Sequence, residues 1–273
     1  MEKIKSRLDS SFKGSVLRVG GSVSQLLNYS KVTVTDLNLP DGGFGSLKTF
    51  SWKQNPYNNL KCLLKWVKQE IKFFRFGNQV SRDRNTLVMD LHHATMNPSL
   101  QRRFDWIISS NVIEHSPNPI AFLLNASHAV KEEGFHFHAI PHCEHTFDRY
   151  RTPTSREHLV EDFLNKTDFS DQSHNEDYIQ SAIEKDGWQK DFHKKYPVAY
   201  PYMHFHVFNE ENVRELFETL FEDVQVSFLK TSEHSDILVL CSNKLRPEFK
   251  EEFADLISSY QKEGLPVDPN INA

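Results

Sequence analysis

One short run, Asn111-Val-Ile-Glu114-His115, brings an amide, a carboxylate and an imidazole close together. At the start of a helix, spacings of three and four residues place such groups on one face. There His115 could move a proton, or Glu114 and His115 could contribute to a divalent-cation site; packing at a helix start is the plainer alternative. The chain has 14 histidines. His136 and His138 alternate along one apolar run, His142 and His145 follow it, and His204 and His206 straddle Phe205. Neutral imidazole, with an ordinary pKa of about 6.5, suits proton removal from an alcohol. His142 or His145 is therefore the expected base, with His115 as a third candidate. The histidine spacings match no compact zinc signature, so no metal is expected, with Glu114 and His115 the weak candidates.

In Asp148-Arg149-Tyr150-Arg151, two arginines stand just before a Thr154-Ser-Arg-Glu157 capping-box pattern. Guanidinium forks beside a helix amino end can clamp an anion; pairing with Asp148 and other acids is the alternative. Arg149, Tyr150, Arg151, His204 and His206 are thus the candidate acceptor-binding residues. Upstream, Gly20-Gly21-Ser22 closes an apolar run, a turn that lets a ligand approach backbone closely. Asp36 and Asp90 close the next two runs. The first carboxylate is placed to accept both hydroxyls of a ribose, the second to accept from an adenine amine. Each of these could instead be a turn residue.

Those positions fall at the ends of strands in an alternating pattern. Residues 16–19, 31–35, 86–89, 104–109 and 135–140 read as strands, the last closed by Pro141. A helix is expected over 121–131, stopped by Gly134, and another from Asn209 through Leu220. Residues 224–229 and 237–242 read as a terminal hairpin. Strands alternating with helices imply a mostly parallel α/β sheet with helices on both faces, and the hairpin adds one antiparallel strand. Ligands of such sheets bind at the carboxyl ends of the strands. Two stretches, about 37–85 and 142–206, are too long for plain connections. The first carries a helix with an apolar stripe from Leu60 to Phe74 and a basic stripe from Lys61 to Arg75, read as a solvated face or a lid. Residues 1–245 are expected to form one domain, with a C-terminal helix around Phe249, Phe253, Leu256 and Tyr260 and a tail to residue 273.

With 273 residues, 38% apolar, the chain can bury a core without disulfides or metal. Cys62, Cys143 and Cys241 are widely spaced, which suits reduced thiols. A net charge of −5 argues against nucleic acid as partner. No secretory signal or membrane-spanning run is legible. The expectation is a cytoplasmic protein acting on a small molecule.

The segments VLRVGGS (16–22), VTVTDLN (32–38), LVMDLHHAT (87–95), FDWIISSNVIEHSPNP (104–119) and AVKEEGFHFHAIPH (129–142) resemble the class I S-adenosylmethionine-dependent methyltransferases. HTFDRYRTPTSREHL (145–159) and HFHVFNEENVRELF (204–217) are similar to the small-molecule branch associated with bacterial surface-polysaccharide biosynthesis. The resemblance implies a Rossmann-like seven-stranded sheet with one antiparallel strand and S-adenosylmethionine as cofactor. It implies that Gly20, Gly21 and Ser22 pass under the methionine part and Asp36 with Leu37 holds the ribose. Asp90 and Leu91 would flank the adenine, and Asn111 would lie near the methyl donor. The implied reaction is O-methylation of a sugar, nucleotide-linked sugar or phosphoryl acceptor. Arg18 stands where the family has an acid, and Ser22 where it has a glycine. A relative that keeps the fold as a non-catalytic binding module is the competing expectation.

Overall fold

The computed structural model describes residues 2–20, 27, 32–38, 85–88, 100–169, 171–187, 203–230 and 235–262. Expectations for Gly21, Ser22, Asp90 and Leu91, for the helix at 60–75 and for the tail after 262 lie outside the described residues, as do the side chains of Asp36 and Leu37.

Short runs rich in apolar and β-branched residues, most deeply buried at the centre of the sheet, form the strands. These are β1 (Gly14–Gly20), β2 (Val32–Asn38), β3 (Asn85–Val88), β4 (Phe104–Ser110), β5 (Val130–Pro141), β6 (Val224–Lys230) and β7 (Ser235–Ser242). They make one sheet in the order β3-β2-β1-β4-β5-β7-β6, in which β7 alone runs against its neighbours. The helices are α1 (Glu2–Ser11), α2 (Pro119–Ala129), α3 (Arg156–Asn165), α4 (Asn175–Tyr178), α5 (Glu210–Leu220), α6 (Pro247–Glu252) and α7 (Ala254–Lys262). The mixed α/β, mostly parallel arrangement is the one that the residue pattern implies.

Strand alternation sorts the core onto two faces. Val16, Trp106, Ile108, Phe137 and Leu240 pack with Ile4, Leu8 and Phe12 beneath α1. Leu17, Val19, Ile107, Ile140 and Val239 pack against α2, α3, α5, α6 and α7. Burying one such Leu or Phe side chain contributes about 1.5–3 kcal/mol. The C-terminal helices belong to this second face: Tyr260 is buried, and its hydroxyl donates to the Phe163 carbonyl at 2.9 Å. A smaller cluster of Tyr178, Ala182, Ile183, Met203 and Phe205 holds the inserted segment.

Several boundaries differ from the sequence reading, each for a local reason. Helix α2 stops at Ala129 and β5 begins at once with Val130, so Gly134 lies within a strand. It is a close-approach glycine, because a Cβ there would meet Val130 and come within 2.7 Å of the Asp105 carbonyl oxygen. The cap of α3 is Ser155, whose hydroxyl accepts from His158 N. Thr154 is occupied instead with Val207: its N–H donates to the Val207 carbonyl and its hydroxyl accepts from Val207 N. One C-terminal helix was expected and two form, broken at Phe253. Strand β2 runs on to Asn38, so Asp36 pairs with Arg18 two residues before the strand end. Helix α1 has no counterpart in the sequence reading.

Candidate active site beside the carboxyl end of β4

Strand order reverses between β1 and β4, since β2 and β3 lie to one side of them and β5 to the other. Such a switch point opens a crevice at the carboxyl ends of the two strands. Gly20 ends β1 with φ +76°, and a Cβ there would meet Val112 and come within 2.7 Å of the Ser110 carbonyl oxygen. Glycine at 20 is thus demanded by the left-handed backbone and by the packing of the next strand's turn. Asn111 leaves β4 with φ +54°, and its N–H donates to Ala139 O at 3.0 Å.

Past Asn111 the chain makes a single tight turn, Ile113–His115, in place of the expected α-helix. Asn111 therefore does not share a helical face with Glu114 and His115, and its place beside them is taken by His204. Glu114 is 1% exposed, and neither carboxylate oxygen has a hydrogen-bond partner. The Nε2 atom of His115 lies 3.7 Å from Glu114 Oε1. Its Nδ1 is 2.9 Å from the carbonyl oxygen of Met203. A carbonyl can only accept, so the His115 Nδ1 carries the proton and Nε2 presents a lone pair when the ring is neutral. The ring of His204 packs edge-on against His115 with centroids 4.7 Å apart. Its Nδ1 is 2.5 Å from Asp148 Oδ2, which fixes the same tautomer.

Asp148 is held in turn. Its Oδ1 accepts from Arg151 Nη1 at 2.9 Å, and Oδ2 accepts from the Thr146 hydroxyl at 3.1 Å. Burial works to raise Asp148, but His204 and Arg151 outweigh it and hold the carboxyl below its ordinary range. Glu114 is pushed up to about 7, chiefly by burial. His204 opposes that rise, while Asp148 and Asp236 add to it. The result is a buried carboxyl without a hydrogen-bond partner, poised near neutrality and flanked by two imidazoles of fixed tautomer, at the exit of β4. Such a group can take a proton from an acceptor.

The remaining candidates are placed as follows. Arg151 is buried, donating from Nε to Asp177 at 2.7 Å, from Nη1 to His204 O at 2.7 Å and from Nη2 to Phe205 O at 3.2 Å. Its guanidinium is spent on the fold: of the two readings of Arg151, pairing with Asp148 and other acids is the one the structure shows, in place of an anion clamp. Arg149 is half exposed and engages Asp186, and Tyr150 beside it is exposed. His142 and His145 do follow β5, ring against ring at 5.7 Å, each also against Phe228. The Nδ1 of His142 accepts from Glu144 N at 3.3 Å, and burial lowers its pKa. His206 is fully buried and lies against Asp162. Glu114 as a proton acceptor, and Asp148 as the group that sets His204, are absent from the sequence reading. The only sequence signal for Glu114 is its position next to His115.

Over residues 52–220, well over half of the chain, the sequence matches the family described as Methyltransferase domain. The chain belongs to that family, and its cofactor is S-adenosylmethionine. No curated protein matches it. Among solved structures it is similar to the citrinin polyketide synthase CMeT domain, at 12% identity over 85% of this chain and 47% of that one, TM-score 0.43. It is similar to the CurJ carbon methyltransferase at 16% identity over 89% and 52%, TM-score 0.43. A SAM-dependent methyltransferase from Methanosarcina mazei is similar at 11% identity over 85% and 93%, TM-score 0.41. The chain spans about half the length of the first two.

The described part of the crevice fits the cofactor. Gly20 and Asn111 are both exposed there, so a backbone edge and a side-chain amide are open to a polar ligand. Register also sets Asp36 on the strand adjoining β1.

Proposed function

We propose that the protein moves the methyl group of S-adenosylmethionine to an oxygen of a small polar acceptor. A sugar, nucleotide-linked sugar or phosphoryl compound of a surface-polysaccharide pathway in the cytoplasm is the class that the resemblance favours. The observation that carries this reading is the buried Glu114 carboxyl, without a hydrogen-bond partner and flanked by His115 and His204. The cofactor would be held by Gly20, Gly21 and Ser22, by Asp36 with Leu37, and by Asp90 and Leu91, with Asn111 beside the methyl donor. When bound, S-adenosylmethionine supplies a methyl on positively charged sulfur and leaves as the neutral thioether. Glu114 accepts the acceptor's proton as the oxygen–methyl bond forms. His115 and His204 orient the acceptor oxygen through Nε2, while Asp148 holds His204 in place. His142 and His145 wall the acceptor side, with Arg149 and Tyr150 at its exposed margin. Most of the rate comes from holding acceptor and methyl in line.

Labelled cofactor offered to a panel of hydroxylated and phosphorylated acceptors tests the reading, with the linkage read by NMR. An O-methyl product is expected, and Glu114→Gln lowers turnover about 100-fold with cofactor affinity unchanged. Label on nitrogen or carbon overturns the oxygen assignment. A melting temperature unmoved by millimolar cofactor returns the chain to the binding-module reading.

One observation favours a second reading. Ligand atoms from Glu114, His115 and His204 all lie within 4.8 Å of one another, which suits a divalent cation that would orient the acceptor. Activity lost to a chelator and restored by magnesium or manganese supports it; activity surviving the chelator removes it.

A further inference from the structure

His206, two residues beyond His204, belongs to a different group of side chains. Its ring is fully buried, with Nε2 3.6 Å from Asp162 Oδ2 and 3.4 Å from the Pro117 carbonyl oxygen, a contact that metal binding through Nε2 would replace, and Nδ1 without any hydrogen-bond partner. Asp162 sits in the last turn of α3, 5% exposed, and its Oδ2 also has no hydrogen-bond partner. One helical turn earlier His158 brings Nε2 to 3.4 Å from that oxygen, and His174 brings Nε2 to 3.9 Å. The two imidazole Nε2 atoms are 2.9 Å apart. Three rings, with centroids 5.0, 5.1 and 5.8 Å apart, thus surround one carboxylate oxygen.

We propose that His158, Asp162, His174 and His206 bind one zinc ion in a closed, structural site. The distances argue for it. Four ligands about 2.0–2.1 Å from a tetrahedral centre stand about 3.3 Å from one another. The three separations from Asp162 Oδ2 and the one between His158 and His174 run from 2.9 to 3.9 Å, and all four donors lie within 4.8 Å of one another. The donors are three imidazoles and one carboxylate, a set that favours zinc or a similar transition ion over magnesium or calcium. His174 is also oriented from behind: its Nδ1 lies 3.3 Å from Asp171 Oδ1 and 3.1 Å from the Ser173 hydroxyl. That carboxylate–imidazole contact is the support that metal-binding histidines commonly have. Left without an ion, the buried Asp162 oxygen costs about 1–3 kcal/mol in lost hydrogen bonding. His158, whose side chain is 41% exposed, gives the ion a way in.

The ligands come from α3, from the turn before α4, and from the segment that returns to the core at Phe205. An ion there ties the inserted segment to the sheet layer. It would stiffen the stretch that supplies Asp177 to Arg151 and His204 to the candidate active site. The proposal stands independently of the methyl-transfer reading.

The test uses the full chain, stripped with a chelator and titrated with cobalt(II), a zinc surrogate with a visible spectrum. About one equivalent should bind with the strong absorption of tetrahedral cobalt, and zinc should displace it. Zinc at 100 times its Kd should raise the melting temperature by about 5 °C. His158→Ala and His174→Ala should each abolish the band, Glu114→Gln should keep it, and His174→Cys should return it with added thiolate absorption. The proposal is overturned by absence of the tetrahedral band in the wild-type chain. It is equally overturned by a band that survives both alanine variants or disappears in Glu114→Gln.

Discussion

Two imidazoles at the candidate active site are set by what lies behind them, a Met203 carbonyl for His115 and the Asp148 carboxylate for His204. Asp148→Asn keeps the shape but can offer its amide N–H to His204 and turn over the ring's tautomer. Turnover should drop about tenfold or more, with cofactor affinity intact by calorimetry; an unchanged rate would remove His204 from the machinery. Arg151 gives a contrasting expectation. Because it neutralises Asp148 inside the protein, Arg151→Met should cost about 3–5 kcal/mol in urea unfolding. An acceptor clamp would instead raise the acceptor KM and leave stability alone. Sequence reading could go part of the way here. Adjacent Glu114 and His115 are visible as a pair, but His204 and Asp148 reach them only through the return of the chain at Phe205, whose N–H donates to the Glu114 carbonyl at 2.8 Å. The helical i,i+4 pair His158 and Asp162 is legible in the same way, while His174 and His206 join it only in three dimensions.

Among the elements, the strands were the most legible, because burial leaves short apolar runs such as Trp106–Ile108 within residues 104–110. Boundaries fared worse where the same residues serve two periods. Ala129 and Val130 continue the apolar pattern of α2 into β5 without a breaker, so the switch to strand was hidden and Gly134 passed for a helix stop. Its true constraint makes a prediction: Gly134→Ala should destabilise by about 1–3 kcal/mol through overpacking against Val130 and the Asp105 carbonyl, read as a shift in the urea midpoint. A neutral effect would mean the strand yields there. Helix α1 escaped notice because its buried side chains are only Ile4 and Leu8, a stripe too thin to stand out from polar neighbours.

For the molecule as a whole, acid stability is set by opposed buried groups. A line of hydrogen bonds joins Ser109 to His138 Nδ1 at 2.7 Å, His138 Nε2 to His136 Nδ1 at 3.4 Å, and His136 Nε2 to Asn243 Oδ1 at 2.9 Å. Burial pushes His136 down to about 4 against the Asn243 contact, so the folded ring stays neutral where the unfolded one is charged. Its contribution is present above about pH 6.5 and is lost as pH falls towards 4, roughly 2 kcal/mol between pH 7 and 5. Glu114, raised to about 7 by burial, works the other way and adds about 2 kcal/mol of stability over the same fall. The two nearly cancel in the wild-type chain. Urea unfolding at pH 7 and pH 5 should therefore show Glu114→Gln losing, and His136→Gln gaining, about 2 kcal/mol relative to wild type; parallel profiles would refute both. The reversed strand has a different consequence. Because β7 runs backwards, it starts where β5 finishes: Pro141 pairs with Asp236, and His142 N donates to Ser235 O at 3.1 Å. Lys230, exposed and paired with Ser235, accordingly closes the described part of the terminal hairpin at the carboxyl edge of the sheet. Substitution at that end of the hairpin alters the edge on which ligands of such sheets bind and leaves the hydrophobic interior untouched.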